Sequence, residues 1–300
     1  MSMLWRVEKE GLKPSYLYGT VHHAANKAGN LRPEVEHALS SCDRVVLEYD
    51  CRPENIHAEF SKIFLEGISI DGDLKALLGD VAYARVAKSM EKKGFPEYIT
   101  RITRPWLCVM ILAENLRVGA VWNVILQQMA VMSVLAITEG AIKGVLDEMD
   151  TIDILLHRKA TQQGKTLVFL DKVGTATDLF KCIPQNEAVS LLYTLDVNEI
   201  EPQSNTKGKT LKAYEENNLD AMKVICGVVA TGMANTAAAG TELCNNILDG
   251  RTLSWMPEIN RLLLEGGAFI GVGAFHLIGY NSDNGLLTIL QKSGFEVTPI

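Results

Sequence analysis

The sequence predicts an α/β protein whose central mixed β-sheet is built from βαβ-type units at the N- and C-terminal ends, with a large helical insertion between them. Short apolar runs alternate with helix-like segments between residues 4 and 48 and between residues 251 and 298. That order is typical of strand–helix–strand units. The middle of the chain carries mostly helical spacing. At 300 residues the chain can form one large domain or two small ones.

The N-terminal end predicts a hairpin followed by one strand–helix–strand unit. Residues 4–8 and 16–21 are predicted strands, joined by a turn at Glu10-Gly-Leu-Lys-Pro. A helix is expected over 33–41. The apolar run 44–48 that follows has the pattern of a buried strand. Strand, helix and strand in this order favour a parallel pair.

The middle of the chain is predicted to be helical, with 53–160 forming a mainly helical insertion or lid. Helical spacing of apolar residues predicts helices over 53–66, 74–78, 80–93, 105–143, 149–163, 186–195 and 210–229. A break between two helices is expected at Gly79, and Gly164 is expected to cap the C-terminal end of the helix before it. A buried strand follows over 166–170, and the polar segment 201–209 predicts a mobile loop.

The C-terminal end repeats the alternation seen at the start. It predicts a helix over 251–265, a strand over 268–272, a helix over 285–293 and a final strand over 295–298. We therefore expect both ends of the chain to contribute strands to one sheet.

Composition limits the partners and the compartment. A net charge of -7 without a basic run argues against nucleic-acid binding. Six cysteines without a Cys-x-x-Cys pair predict thiols in a reducing compartment, although their even number leaves disulfides open. No signal-peptide pattern is visible, so we expect a cytoplasmic protein, or a secreted or periplasmic one if a leader was removed. The apolar stretches 105–137 and 224–240 are expected to be buried helices, not membrane spans.

Two segments at opposite ends of the chain share one motif, a strand-like run closed by Gly-x-x-His. They are Gly19-Thr-Val-His22 and Gly273-Ala-Phe-His276, and glycine is expected to let the backbone bend at each strand end. Glu48 closes a third strand. Ligands bind at the carboxyl ends of strands in α/β sheets, and two imidazoles with a carboxylate are typical of hydrolytic metal sites. Alternatively, the histidines are polar loop residues and Glu48 is an ion-pair partner.

Several further residues are expected to support this site. His23 points away from His22 by strand alternation, and Asp50 shares the face of Glu48 and could orient an imidazole. Arg251 and Arg104 are candidate partners for a substrate carboxylate or an oxyanion, or else surface arginines. The other histidines lie in helical contexts and are expected to be structural: His37, His57 and His157.

These segments resemble the TraB/GumN/Tiki family, which carries two Gly-x-x-His motifs and a glutamate. The segments that carry the resemblance are Leu17-Tyr-Gly-Thr-Val-His22, Val45-Val-Leu-Glu48 and Val272-Gly-Ala-Phe-His276-Leu-Ile-Gly. It continues at Trp5-Arg-Val, at Met149-Asp-Thr-Ile-Asp and at Gly285-Leu-Leu. It therefore covers most of the chain, and it is weak between about 60 and 145.

The resemblance implies a single domain over 1–300, with a fold like that of erythromycin-esterase and ChaN-type proteins. For Tiki members it implies a divalent-metal-dependent peptidase. On that analogy His22 and His276 are metal ligands, Glu48 is a ligand or general base, and the metal is Mn, Co or Zn. This chain departs from the family at Asp171, where a glutamate is expected, and in a longer segment over 278–285.

The expected partner is a peptide or small-molecule substrate, and a homo-oligomer is left open. Two alternatives to a hydrolase remain at this point. The cleft could bind haem iron or another ligand without turnover, as ChaN-type proteins do. The chain could also be a regulatory protein with an inactive site.

Overall fold

Six strands form one mixed sheet in this computed structural model, which describes residues 2–21, 31–92, 95–113, 151–194, 201–234 and 245–300. The strands are β1 (Leu4–Glu8), β2 (Ser15–Thr20), β3 (Arg44–Leu47), β4 (Thr166–Phe169), β5 (Ala268–Gly273) and β6 (Glu296–Pro299). Each strand predicted from the sequence is present, and its ends differ from the prediction by at most one residue. The predicted α/β fold class is confirmed.

The strand order β4–β3–β5–β2–β1–β6 places β5, which lies near the C-terminal end of the chain, in the interior of the sheet. Strands β4, β3, β5 and β2 run parallel, and β1 is antiparallel to both of its neighbours. Every residue of β5 is buried, as expected for an inner parallel strand. Because β5 lies between β2 and β3, the two strands of the N-terminal unit are parallel but do not pair with each other.

Helices account for most of the remaining described chain. They are α1 (Pro33–Ser41), α2 (Pro53–Gly67), α3 (Leu74–Lys92), α4 (Glu97–Arg101), α5 (Pro105–Ala113), α6 (Ile152–Gln162), α7 (Thr175–Lys181), α8 (Gln185–Thr194), α9 (Glu201–Glu215), α10 (Leu219–Ala234), α11 (Arg251–Glu265), α12 (Ala274–Ile278) and α13 (Leu286–Lys292). A π-helical segment, Asn245–Gly250, leads directly into α11, and a 3-10 turn, Ser282–Asn284, precedes α13.

One prediction about the helices is confirmed and another is wrong. Gly79 breaks α3 with a φ of 71°, as predicted. The single helix predicted over 210–229 is wrong, because α9 and α10 are separated at Asn217, whose φ is 54°. Asparagine tolerates this left-handed conformation, and the Asn217 side chain accepts a hydrogen bond from the Met3 amide at 2.8 Å. The expected loop over 201–209 is also wrong, since these residues begin α9.

The apolar stretches weighed as membrane spans are described in part. Residues 105–113 form α5 and residues 219–234 form α10, while the rest of the predicted helix over 105–143 lies outside the described residues. None of the helices in the described ranges combines the length and the apolar character needed to cross a membrane.

Buried side chains form two cores that share α6. Leu156 of α6 packs with the strands and with α1, α11, α12 and α13. Ile154 of the same helix packs with α3, α5, α7 and α8. The second core thus contains helices from both sides of residue 160, and a separate insertion or lid over 53–160 stays a prediction.

Candidate functional site

Glu48 and His276 meet at the carboxyl ends of two neighbouring parallel strands. Glu48 directly follows β3, and His276 lies in α12, the short helix that follows β5. Their side chains are 2% and 5% exposed, and His276 Nε2 lies 3.7 Å from Glu48 Oε1. Residues far apart in the chain come together here because parallel strands present their carboxyl ends at one edge of the sheet.

Hydrogen bonds hold both oxygens of the Glu48 carboxylate. The Gly273 amide donates to Oε1 at 2.5 Å, and Arg251 Nη2 donates to Oε2 at 2.8 Å. The same Nη2 donates to Asp171 Oδ2 at 2.6 Å, while Trp255 Nε1 donates to Asp171 Oδ1 at 2.7 Å. A guanidinium Nη carries two protons, so one nitrogen bridges the two carboxylates.

Burial sets the electrostatics of this bridge. The side chains of Arg251 and Asp171 are 16% and 11% exposed. Burial raises the pKa of Asp171 above its ordinary value, Arg251 partly offsets this rise, and the Glu48 charge adds to it. Burial opposes the charge of Arg251, but the Glu48 and Asp171 carboxylates outweigh that effect and raise its pKa. When both carboxylates are ionised, the cluster favours a further cation at this edge.

The His276 ring is held by two residues of α11. Its Nδ1 lies 2.8 Å from Thr252 Oγ1, and its centroid lies 4.5 Å from that of Trp255, with the rings tilted by 48°. Arg251, which binds Glu48, opens the same helix. The first turns of α11 therefore position the carboxylates and the imidazole together.

Of the two motif glycines, Gly19 serves a packing contact that the sequence does not display. Gly19 is a regular residue of β2, paired with Val272. A Cβ at Gly19 would lie 2.9 Å from Leu277 and 3.1 Å from Ala274, so the missing side chain lets α12 pack against β2. Gly273 has a φ of -51°, which other residues also adopt. The expected bend is thus not the reason for Gly19, which provides space for the helix that carries His276.

The N-terminal motif is described only up to its third residue. β2 ends at Thr20, and His22 and His23 lie outside the described residues. The Thr20 hydroxyl donates to Asp153 Oδ1 at 2.8 Å, and Asp153 is 3% exposed. A buried carboxylate from α6 therefore lies at the end of the strand that leads to His22.

Asp50 does not contact the described residues of this cluster. It accepts hydrogen bonds from Arg52, with the shortest at 2.5 Å, and from Asn55 Nδ2 at 2.7 Å. The imidazole beside it is that of His157, whose Nε2 lies 3.9 Å from Asp50 Oδ1. Burial lowers the pKa of His157. Arg104 is exposed and directly precedes α5.

Thr252, Trp255 and Asp153 are site residues that sequence reasoning did not single out. The first two follow Arg251 by one and four positions on the amphipathic helix α11, and this helical spacing was a usable signal. Asp153 lies among the buried residues of α6, next to Ile152 and Ile154. A carboxylate surrounded by apolar neighbours was the signal there.

The segment after His276 is fixed by one buried carboxylate. Asp249, in the π-helical segment, accepts hydrogen bonds from the Tyr280 and Asn281 amides at 2.7 and 2.9 Å and from Asn284 Nδ2 at 3.1 Å. Gly279 turns the chain with a φ of 70°. The segment over 278–285 is thereby tied to the residues that precede Arg251.

Glu48 and His276 supply two donors of the kind that divalent metals bind, a carboxylate oxygen and an imidazole nitrogen. Two ligands at about 2.1 Å from a tetrahedral metal lie about 3.4 Å apart, close to the observed 3.7 Å. Among the described residues no group of three His, Cys, Asp or Glu side chains could hold a metal. A complete site needs a donor from outside them, and His22 is the candidate from the sequence.

The fold and the site define a mixed α/β protein with a buried polar site at the carboxyl ends of its parallel strands. The chain belongs to the TraB/PrgY/gumN family, whose family model matches residues 3–299. The family resemblance expected from the sequence is therefore confirmed. Searches of curated proteins and of solved structures found no match.

Proposed function

We propose that this protein is a divalent-metal-dependent hydrolase, with a peptide as its substrate. His22, Glu48 and His276 would hold the metal, which is Mn, Co or Zn. The observation that carries the proposal is the buried Glu48–His276 pair, with Nε2 and Oε1 3.7 Å apart at the carboxyl edge of the sheet. Membership of the TraB/PrgY/gumN family supports it.

The cost of burying these groups supports a functional interpretation. Taking charged side chains out of water is expensive, and replacing buried ion pairs by apolar residues is often neutral or stabilising. Glu48, Asp171 and Arg251 are nevertheless all largely buried around His276. Clusters of this kind are frequent at catalytic sites.

The described residues suit distinct tasks in hydrolysis. A divalent metal, when bound, would lower the pKa of a water to about 7 and polarise a carbonyl oxygen. Glu48 is fixed by Gly273 and Arg251, so its carboxylate is oriented either to bind the metal or to accept a proton from water. Arg251 offers positive charge beside the carboxylates, where it can stabilise an oxyanion. Asp171 and Trp255 hold this part of the site in place.

Metal analysis combined with a peptide-cleavage screen tests the proposal. The purified protein would be loaded with Mn, Co or Zn and assayed on a fluorogenic peptide library. We expect His22→Ala and His276→Ala to lose bound metal and cleavage, and His37→Ala, an exposed histidine of α1, to keep both. If both site variants retain metal and every hydrolytic activity, the proposal is wrong. A Soret band on haem addition, without metal-dependent cleavage, would favour the ligand-binding alternative.

A further inference from the structure

Proton counting at Thr252 shows that Nδ1 of His276 carries a hydrogen. The Thr252 hydroxyl has one proton and two contacts at 2.8 Å: the Leu248 carbonyl oxygen, one helical turn earlier, and His276 Nδ1. A carbonyl oxygen can only accept a hydrogen bond. The hydroxyl therefore donates to Leu248, and its oxygen accepts a hydrogen bond from Nδ1–H of His276.

The opposite arrangement leaves an unfavourable contact. If the hydroxyl donated to Nδ1, its oxygen would face the Leu248 carbonyl oxygen at 2.8 Å without a proton between them. Thr252 is completely buried, so water cannot relieve that repulsion. Two lone pairs at this separation in a dry site are costly.

We infer that Thr252 is a positioning residue, which keeps Nδ1 of His276 protonated and so presents Nε2 as the metal-binding nitrogen toward Glu48. The proton on Nδ1 follows from the two contacts of the Thr252 hydroxyl, and its catalytic meaning rests on the proposed function. A ligating histidine is usually fixed in this way by a hydrogen bond to its other nitrogen. Here the acceptor is a threonine hydroxyl, which is itself oriented by a backbone carbonyl.

The placement of Thr252 links the two described donors of the site. Thr252 directly follows Arg251, which donates to Glu48. Trp255, on the same helix as Thr252, packs against the His276 ring. A shift of α11 would thus move the Glu48 and His276 partners together. This coupling explains why a small polar residue lies in the otherwise apolar buried face of α11.

Nitrogen NMR of the imidazoles in the metal-free full-length protein tests the inference. Protein labelled with ¹⁵N-histidine, at a pH well above the ordinary histidine pKa of about 6.5, distinguishes Nδ1–H from Nε2–H by long-range proton–nitrogen correlations. Six histidines are present, and signals lost in His276→Gln identify the relevant ring. The variants are Thr252→Val, which removes the hydroxyl, and Thr252→Ser, which keeps it.

A matched control separates positioning from stability. Thr100 is also completely buried, and its hydroxyl also bonds the carbonyl one turn earlier, that of Pro96 at 3.2 Å. Thr100→Val therefore removes an equivalent helix contact without touching His276. Thermal unfolding of all variants establishes that each is folded at the temperature of the NMR measurement.

We expect the Nδ1–H form in the wild type, in Thr252→Ser and in Thr100→Val. Thr252→Val should shift the tautomer ratio toward Nε2–H by about fivefold to tenfold, the effect of one hydrogen bond. An Nε2–H form in the wild type, or an unchanged ratio in Thr252→Val, would overturn the inference. Zinc affinity is the separate readout: it should fall about 10-fold to 100-fold in Thr252→Val. Failure of the wild type to bind zinc, cobalt or manganese would refute the proposed function but not the tautomer.

Discussion

Replacing Arg251 by methionine removes the cation that bridges Glu48 and Asp171. The two charge-assisted hydrogen bonds, at 2.8 and 2.6 Å, contribute about 1.5–3 kcal/mol each. Breaking a buried ion pair from one side costs about 3–5 kcal/mol, because it leaves an uncompensated charge. We therefore expect Arg251→Met to lower the free energy of unfolding at pH 7.5 by about 3–5 kcal/mol, measured by urea denaturation.

The loss should depend on pH with a defined sign. Asp171 already has a raised pKa because of its burial, and removing Arg251 raises this pKa further. A carboxyl group whose pKa is higher in the folded state than in the unfolded state loses stability as the pH rises through the folded pKa. The deficit of Arg251→Met should therefore shrink as the pH is lowered toward about 4, where the unfolded carboxyl group titrates.

The control and the refuting result come from the same helix. Arg261 also forms two ion pairs, with Glu258 and Glu265, but its side chain is 52% exposed. Arg261→Met should differ little from the wild type, because exposed ion pairs contribute little. If Arg251→Met is as stable as Arg261→Met at pH 7.5, or if its deficit grows on acidification, the account of the carboxylate bridge is wrong.

Three further changes probe the supports of the site. Gly19→Ala should lower the free energy of unfolding by about 1–3 kcal/mol, because the added methyl group overpacks against Ala274. Gly208→Ala should not lower it, because the space around Gly208 is open. Chemical denaturation of the two variants measures both free energies of unfolding. Asp171→Asn should reduce the decline in stability as the pH rises from about 4, because it removes a carboxyl group with a raised pKa; denaturation across that range checks this. Trp255→Phe should cost about 1–2 kcal/mol, since the indole donor to Asp171 is lost; a cost within error would contradict this.

The strands and their ends were predictable from the sequence because their signals are local. An apolar run bounded by turn residues determines where each strand stops, and Glu48 follows such a run directly. The position of β5 between β2 and β3 was not predictable in this way. Strand order depends on pairings between distant segments, such as Val46 with Ile270, and these leave no trace in local spacing.

The side-chain contacts around the site were also predictable only in part. Glu48, His276 and Arg251 were proposed from residue type and position, whereas the partner of Asp50 was expected to be an imidazole of the site. Strand alternation predicted on which face of the sheet Asp50 lies. It did not predict the turn after β3, where Arg52 and Asn55 bind Asp50. Side-chain partners set by a turn depend on backbone geometry that the sequence pattern does not encode.

Metal-edge X-ray absorption of protein loaded with one equivalent of zinc tests whether His22, Glu48 and His276 form a metal site. We expect two imidazole ligands and at least one oxygen ligand, with zinc–nitrogen distances of about 2.0–2.1 Å. His276→Ala should then show one imidazole fewer. A sulfur ligand, the absence of imidazole, or an unchanged spectrum in His276→Ala would contradict a metal site formed by His22, Glu48 and His276.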